Sequence, residues 1–415
     1  MNCLVKFLIG RRIYLDEMIG FSIALGLAAL LPASAQTAAV HAAHTPARLP
    51  AWALGPFKRF ADINPIITPR PASVFSCPMR RRDIHWEKLH TFNPAAITVS
   101  DRIAVLYRAE DDTGQGIGGH TSRLGLWTSI DGTHPTERFS LPVLYPDKDI
   151  AKPFEWDGGC EDPRIVQAAD GTYVLTYVAW NRSKANICIA TSRDLHIWKK
   201  HGPAFKSASP TDGEWTKSGA IVTTVVGGKI VAARIKGKYW MYWEHDSEAD
   251  PSIFLAVSED LIHWTPVVEA NGHPVPVLKT RKGSFDARLM DPGPPPLLTS
   301  AGIIFIYNGK NGDAHDGDQA YPLLSYSMGQ ALFSADDPAH VIDRLQKPFL
   351  VPELPFERSG QYTNGTAFAE GLAWKNGTWY LYYGSADSVI AVATWTPARD
   401  DLRGSAPRTF REARP

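Results

Sequence analysis

From about Trp52 onward the apolar positions fall in short runs separated by Gly, Pro, Asp and Asn, and helical periodicity is scarce. Runs of roughly four to eight residues bounded by such turn formers predict strands. The runs also repeat in a fixed order: a polar turn, an apolar strand, a Gly-marked hairpin, an aromatic-rich strand, then often a third strand and an Asp-marked turn. Five units follow this order. The first runs from Phe92-Asn93-Pro94 through Val105-Leu106-Tyr107-Arg108 to Asp131-Gly132, and the second from Glu161-Asp162-Pro163-Arg164 through Tyr173-Val174-Leu175-Thr176-Tyr177 to Trp198. The third goes from Lys217-Ser218-Gly219 through Tyr239-Trp240-Met241-Tyr242-Trp243 to Trp264. The fourth joins Pro294-Pro295-Pro296-Leu297-Leu298 to Ile304-Phe305-Ile306-Tyr307 and Gln330-Ala331-Leu332-Phe333-Ser334. The fifth joins Thr366 to Gly371 with Trp379-Tyr380-Leu381-Tyr382-Tyr383-Gly384 and Ile390 to Ala393. Two near-identical stretches, Ser192-Arg193-Asp194-Leu195-His196-Ile197-Trp198 and Ser258-Glu259-Asp260-Leu261-Ile262-His263-Trp264, argue against chance alignment.

No unit is large enough to bury both of its own faces. Radial stacking of small sheets solves that problem and leaves only short edges. The expectation is an all-β chain folded as a five-bladed β-propeller, in one domain over residues 51–415. In such a fold the innermost strands converge on the axis, and their equivalent ends share one pocket. The unusual polar residues fall at that phase: Asn93, Asp162, Lys217, the stretch from Asp286 to Asp291, and that from Asn364 to Glu370. Carboxylates, amides and cations gathered at one end predict a small polar pocket. Phe60 to Ile67 reads as an entry segment crossing one end of the fold.

Composition narrows the ligand. Lys plus Arg number 43 and Asp plus Glu number 43, so the formal net charge is zero. That gives no basic face for nucleic acid or an anionic membrane. Thirteen Trp and fourteen Tyr are enough to fill β cores and still offer rings to the apolar faces of sugars. Met18 to Leu31 is an apolar run too short for a comfortable bilayer span, and Pro32-Ala33-Ser34-Ala35 follows as a small-residue cleavage pattern. Residues 1–35 therefore read as a signal peptide, with Met18 an alternative start, and residues 36–50 as a flexible linker. The product would be periplasmic or extracellular and free of the membrane after cleavage. Cys3 would leave with the signal. Cys77, Cys160 and Cys188 are scattered and lack CxxC spacing, which predicts no zinc site and at most one disulfide. No cofactor and no metal are expected.

Taken together, Phe92-Asn93-Pro94-Ala95, Leu106 to Asp111, Glu161-Asp162-Pro163-Arg164, Lys217-Ser218-Gly219, Phe285-Asp286-Ala287-Arg288, Pro294-Pro295-Pro296 and Tyr382 to Ser388 resemble glycoside hydrolase family 130. That family contains mannoside phosphorylases and β-mannosidases on a five-bladed propeller, and the resemblance runs from about Phe60 onward. It implies a mannose-containing oligosaccharide or glycan as partner and Asp162 as the general acid, because an alkoxide leaving group needs a proton. Glu161 next door favours a protonated Asp162; Arg164 opposes it. The resemblance also implies that Asn93, Arg108, Asp286 and Asp387 line sugar subsites. Arg164, Lys217 and Arg288 are further candidates for binding substrate.

Hydrolysis or phosphorolysis is decided by what faces the acid. Phosphate demands a cation cluster. Where the resemblance would put a histidine followed by arginine in phosphorylases, this chain has Trp243-Glu244-His245. Glu244, or Asp291 in Leu289-Met290-Asp291-Pro292-Gly293, would then be the base that activates water in an inverting hydrolysis, about 6.5–9.5 Å from the acid. The plainer roles are an ion pair of Glu244 with His245 or a lysine, and an Asx turn at Asp291. Export favours the hydrolase, because phosphorolysis saves bond energy in a sugar phosphate that only the cytoplasm retains. An exo-acting β-mannosidase is expected. The alternatives are a phosphorylase releasing mannose 1-phosphate and a catalytically silent glycan-binding propeller. Linkage and oligomeric state stay open.

Overall fold

Short apolar runs bounded by turn residues fold as strands, and many of these are buried on both faces. The structure, a computed structural model, describes residues 48–205, 215–245 and 251–398. With 48% strand and 2% helix, the fold is all-β. The signal expected over 1–35, with Cys3, and nearly all of the 36–50 linker lie outside the described residues. The described residues belong to one compact unit that begins at Pro46. No helix among them is long and apolar enough to cross a membrane.

Five antiparallel meanders follow one another. The first is His90–Val99, Arg102–Glu110, Ser122–Ser129 and Glu137–Arg138; the second is Gly159–Gln167, Tyr173–Trp180, Ala185–Ser192 and Lys199–Pro203. Lys217–Ile221, Lys238–Glu244, Ser252–Ser258 and Thr265–Pro266 make the third, with Pro276–Lys279 paired alongside its third strand. In the fourth, Leu289–Pro292 and Leu297–Leu298 pair with Ile303–Lys310, followed by Tyr326–Phe333 and Val341–Arg344. Its first strand thus begins ahead of the three prolines, which split it because they offer no N–H to the ladder. The fifth is Ala367–Lys375, Thr378–Ser385 and Val389–Trp395, completed by Lys58–Arg59 from the other end of the chain. The first strand of the fifth meander packs against the first strand of the first.

The repeated heptads fold alike. Ser192 Oγ and Ser258 Oγ each accept the backbone N–H three residues on, at 2.9 Å in both. Asp194 and Asp260 each accept two further backbone N–H groups. The leucines at the bend both have φ of 69°. These histidine-bearing turns are structural, closing the third strand onto the fourth.

A second repeated device is polar and buried. An acid just before the first strand, a tyrosine in the second and a cation in the fourth meet in four meanders. Tyr107 Oη donates to Glu87 at 2.9 Å and accepts from Arg138 Nε at 2.9 Å. Tyr307 Oη donates to Asp286 at 2.7 Å and accepts from Arg344 Nε at 3.0 Å. Glu155 takes Tyr177 at 2.7 Å and Lys200 at 2.6 Å, and Glu357 takes Tyr383 at 2.8 Å and Arg59 at 2.9 Å. Each acid is 0% exposed, so it is tolerable only because donors surround it. Room for the ring is made by glycine in two cases: a Cβ at Gly125 or Gly329 would sit 2.3 Å from Tyr107 or Tyr307. The third meander departs from the pattern, with Trp243 in the tyrosine's place against Phe205 and Phe254.

Between meanders the core is apolar, with Leu, Ile, Val, Ala and aromatic side chains of neighbouring sheets in contact. Each Leu, Ile or Phe fully buried there stabilises the fold by about 1.5–3 kcal/mol. Trp86, Trp127, Trp243 and Trp264 are among the largest fully buried side chains, so much of the tryptophan supply serves packing. Cys77, Cys160 and Cys188 are buried free thiols, and the one disulfide that composition allowed is not formed.

Candidate active site

The first strands are bulged at their polar residues. The ladder shifts between Phe92 and Pro94, between Glu161 and Arg164, and between Lys217 and Ala220. In the fifth meander the shift lies between Ala369 and Gly371, one pair deeper. The residues thrown out are Asn93, Asp162, Ser218 and Glu370, and each is followed by Pro or Gly. Asn93, Asp162 and Ser218 have φ of 48°, 47° and 57°. Backbone held in that region costs of order 1–3 kcal/mol per residue and is found where a side chain must be re-aimed.

Asp162 is the hub of one side. Its Oδ1 accepts from Asn93 Nδ2 at 2.6 Å and from Arg108 Nη1 at 3.0 Å. Arg108 Nη2 reaches Glu110 Oε1 at 2.7 Å and Glu161 Oε1 at 2.9 Å, and its Nε donates to Ser122 Oγ, which donates on to Glu161. The guanidinium lies 4.5 Å over the Phe92 ring. Asp387, with φ of 49°, completes this side; Gln361 Nε2 ties its carbonyl to Glu110.

Four carboxyls here, Glu110, Glu161, Asp162 and Asp387, face the guanidinium of Arg108, with Arg164 behind. The charges do not balance, so a proton is retained. Burial pushes Glu161 up to about 7, helped by Asp162 and Glu110 and opposed by Arg108. Burial likewise pushes Asp387 up to about 7 against the pull of Arg108. Asp162 itself is also driven up by burial, but Arg108, Arg164 and the Asn93 hydrogen bond outweigh that and hold it low. The retained proton therefore favours the raised carboxyls beside Asp162 over Asp162 itself, and Glu161 and Asp162 titrate together.

On the other side Lys217 and Glu244 are ladder partners, and Ser218 Oγ donates to Asp291 Oδ1 at 3.2 Å. Glu244 is 2% exposed and Asp291 7%. Burial raises the Asp291 carboxyl, opposed by Lys217, a hydrogen bond with Glu244, and Arg164; the charge of Asp162 pushes it up further. The two expected bases are thus one hydrogen-bonded pair, close enough to Asp162 to feel its charge. Tyr326 lies between the sides, its hydroxyl raised by burial and by the charges of Asp291, Asp387 and Glu244. Its ring meets Tyr362 and Phe368 edge-on, and Lys310 lies over Tyr326 and Tyr362 at 5.4 and 5.3 Å.

Asp162, Asn93, Arg108, Lys217, Glu244, Asp291 and Asp387 are brought together. The other three expected binding residues are held differently. Asp286 belongs to the buried tyrosine device, its oxygens taken by Arg281, Arg344 and Tyr307. It precedes the first strand, where Glu87 and Glu155 stand in their meanders, instead of occupying the bulge. Arg164 is 2% exposed and bonds the carbonyls of Asp162, Pro292 and Gly293, with Glu370 at 3.1 Å. It staples three first strands and has no face left for a sugar or phosphate. Arg288 is exposed at the edge of the fourth meander. Ser122, Gln361 and Tyr326 were not singled out from the sequence, while Glu110 was considered only as an ion-pair partner of Arg108 and Lys310 only as the start of a loop. Glu110 carried a signal, two residues after Arg108 on one face of a strand; Gln361 arrives from a loop and Tyr326 from the start of a strand, and neither carried one.

Comparison with known proteins gives a consistent picture. The family model described as beta-1,4-mannooligosaccharide phosphorylase, glycoside hydrolase 130, matches residues 61–399. A 1,2-beta-oligomannan phosphorylase from Thermoanaerobacter sp. (strain X514) is 31% identical over 76% of this chain and 93% of its own. A crystal structure of a glycosyl hydrolase from Bacteroides ovatus is 48% identical, covering 85% of this chain and 97% of that one, with a TM-score of 0.80. A structure presented under the statement that the GH130 family of mannoside phosphorylases contains glycoside hydrolases that target beta-1,2 mannosidic linkages in Candida mannan is 48% identical. It covers 84% of this chain and 96% of its own, with a TM-score of 0.81.

Proposed function

The chain belongs to glycoside hydrolase family 130, and from that premise we propose that it is an exported, inverting, exo-acting β-mannosidase whose five meanders are the blades of a propeller. The observation that carries this is the Glu244–Asp291 pair, hydrogen-bonded to each other and facing Asp162 with Lys217 as the cation beside them. A site built around two carboxyls repels a phosphate dianion and suits a water. Arg164, behind them, is held by backbone carbonyls and shares its charge with Glu370. The linkage we propose is β-1,2, the one named for both a phosphorylase relative and a hydrolase-bearing relative.

In this reaction the glycosidic oxygen lies against Asp162, which donates the proton. Burial is already the largest influence on Asp162. A sugar filling the pocket expels more water and drives that carboxyl further up, so the proton shared with Glu161 moves onto it. Glu244 or Asp291 takes the proton of a water attacking the opposite face, which inverts the anomeric carbon. Asn93 and Arg108 fix the orientation of Asp162. Asp387 and Tyr326 border the space left for the sugar.

The competing reading, phosphorolysis, is favoured by the activity of the 31%-identical relative. β-1,2-Mannobiose incubated with the chain separates the two. Steady release of free mannose without phosphate, with the α anomer formed first, supports the hydrolase. Strict dependence on phosphate with mannose 1-phosphate as product overturns it.

A further inference from the structure

At the edge of this site two histidines that the proposed chemistry does not use stand beside Glu110, which braces Arg108. His90 opens the first strand, and Glu110, its direct ladder partner, ends the second. His120 comes two residues before the third strand. One ligating atom from each lies within 4.8 Å of the other two. Glu110 is 1% exposed and His120 7%. Nδ1 of His120 is buried with no hydrogen-bond partner among the described residues. Leaving such a group unsatisfied costs about 1–3 kcal/mol, unless something not made of protein fills the space.

The neighbours hold these groups in a ligating posture. His90 Nδ1 meets Ser388 Oγ at 3.0 Å, which leaves Nε2 to bind elsewhere. Ser388 is itself fixed by the Gln361 backbone N–H at 2.9 Å. Glu110 is steadied by Arg108 at 2.7 Å and by Gln361 Nε2 at 3.0 Å. Partners of this kind set the ring orientation in metal sites.

We propose that His90, Glu110 and His120 bind a divalent transition-metal ion of the zinc type. Two imidazoles exclude Mg²⁺ and Ca²⁺ as the preferred ions, since those want oxygen throughout. Three protein ligands leave the fourth position of a tetrahedral ion to water or to a substrate hydroxyl. Bonds of about 2.0–2.1 Å draw the donors in from their present spacing, a movement that side-chain rotation supplies. Sequence spacing hid the site, because positions 90, 110 and 120 match no short ligand motif and are joined only by strand pairing. The expectation that the chain binds no metal is thereby revised.

The test uses the full chain stripped with chelator and titrated with zinc chloride in phosphate-free buffer, read by calorimetry. Cobalt(II) absorption reports the geometry. One saturable equivalent and tetrahedral cobalt bands are expected. His120→Ala and, separately, His90→Gln should each weaken binding at least about tenfold. His263→Ala, which alters an exposed histidine paired with Asp260, should leave the site's binding unchanged. Circular dichroism identifies which variants are folded, and having two of them keeps the test open if one fails to fold. Absence of a saturable equivalent, or binding unaltered in a folded His120→Ala or His90→Gln variant, overturns the proposal.

Discussion

The buried tyrosine devices and the pocket are built from adjacent residues of the same strands, yet they behave oppositely. Tyr107 and Arg108 illustrate this. Tyr107 joins Glu87 and Arg138 in a closed set in which every partner is matched, while Arg108 faces more carboxyls than it can neutralise. The first arrangement recurs in four meanders with little change. The second occurs once. Repetition in this chain therefore marks scaffold, and departure from repetition marks chemistry. The third meander, where Trp243 replaces the tyrosine, is the one that supplies Glu244.

Substitutions on either side of that divide should part activity from stability. Asp162→Asn is the strongest test: kcat/KM should fall by about 10³-fold or more while the melting temperature stays unchanged. Glu244→Gln and Asp291→Asn should each cost about 10²–10⁴-fold, read with β-1,2-mannobiose, and full activity in both would remove the base from this pair. Asp286→Asn should do the reverse. It leaves Arg281 and Arg344 facing a weakened partner, at about 3–5 kcal/mol of stability in denaturant melts, with kcat/KM per folded molecule retained.

Acidity gives a finer test. Glu161 and Asp387 sit at about 7 when folded, above their ordinary carboxyl values. The folded state thus holds protons that the unfolded chain releases. The stability these two groups contribute is full below about pH 4 and is lost as the pH rises through about 7. The same proton feeds Asp162, so kcat/KM should decline on an alkaline limb near pH 7. Asp387→Asn removes a negative charge and should move that limb lower, by up to about one pH unit. The smallest effect belongs to Tyr307→Phe, which removes one hydroxyl from a device that keeps its ion pairs and should cost about 1 kcal/mol of stability and no activity.

Much of this was legible in the sequence because the units repeat. The heptads ending in Trp198 and Trp264 marked equivalent turns, and Asn93, Asp162 and Lys217 fell at one phase of their units, although the bulges there were not foreseen. The buried partners of Asp286 and Arg164 were not legible for one reason. A carboxylate or guanidinium shows its charge in the sequence but not which neighbours consume it, and here Arg344 and the Pro292 carbonyl arrive from 58 and 128 residues away. His90, Glu110 and His120 were invisible for the same cause, since strand pairing alone brings them together.

Lys58–Arg59 closes the last meander with a strand from the front of the chain, and Arg59 brings its charge to Glu357 across 298 positions. During synthesis Lys58–Arg59 emerges well before Val389–Trp395 and must wait for it. Until Val389–Trp395 exists, the fifth sheet lacks its outer strand and Glu357 lacks its cation. Closure of so long a loop is a late event in folding, and it joins both ends of the described chain into one cooperative lock.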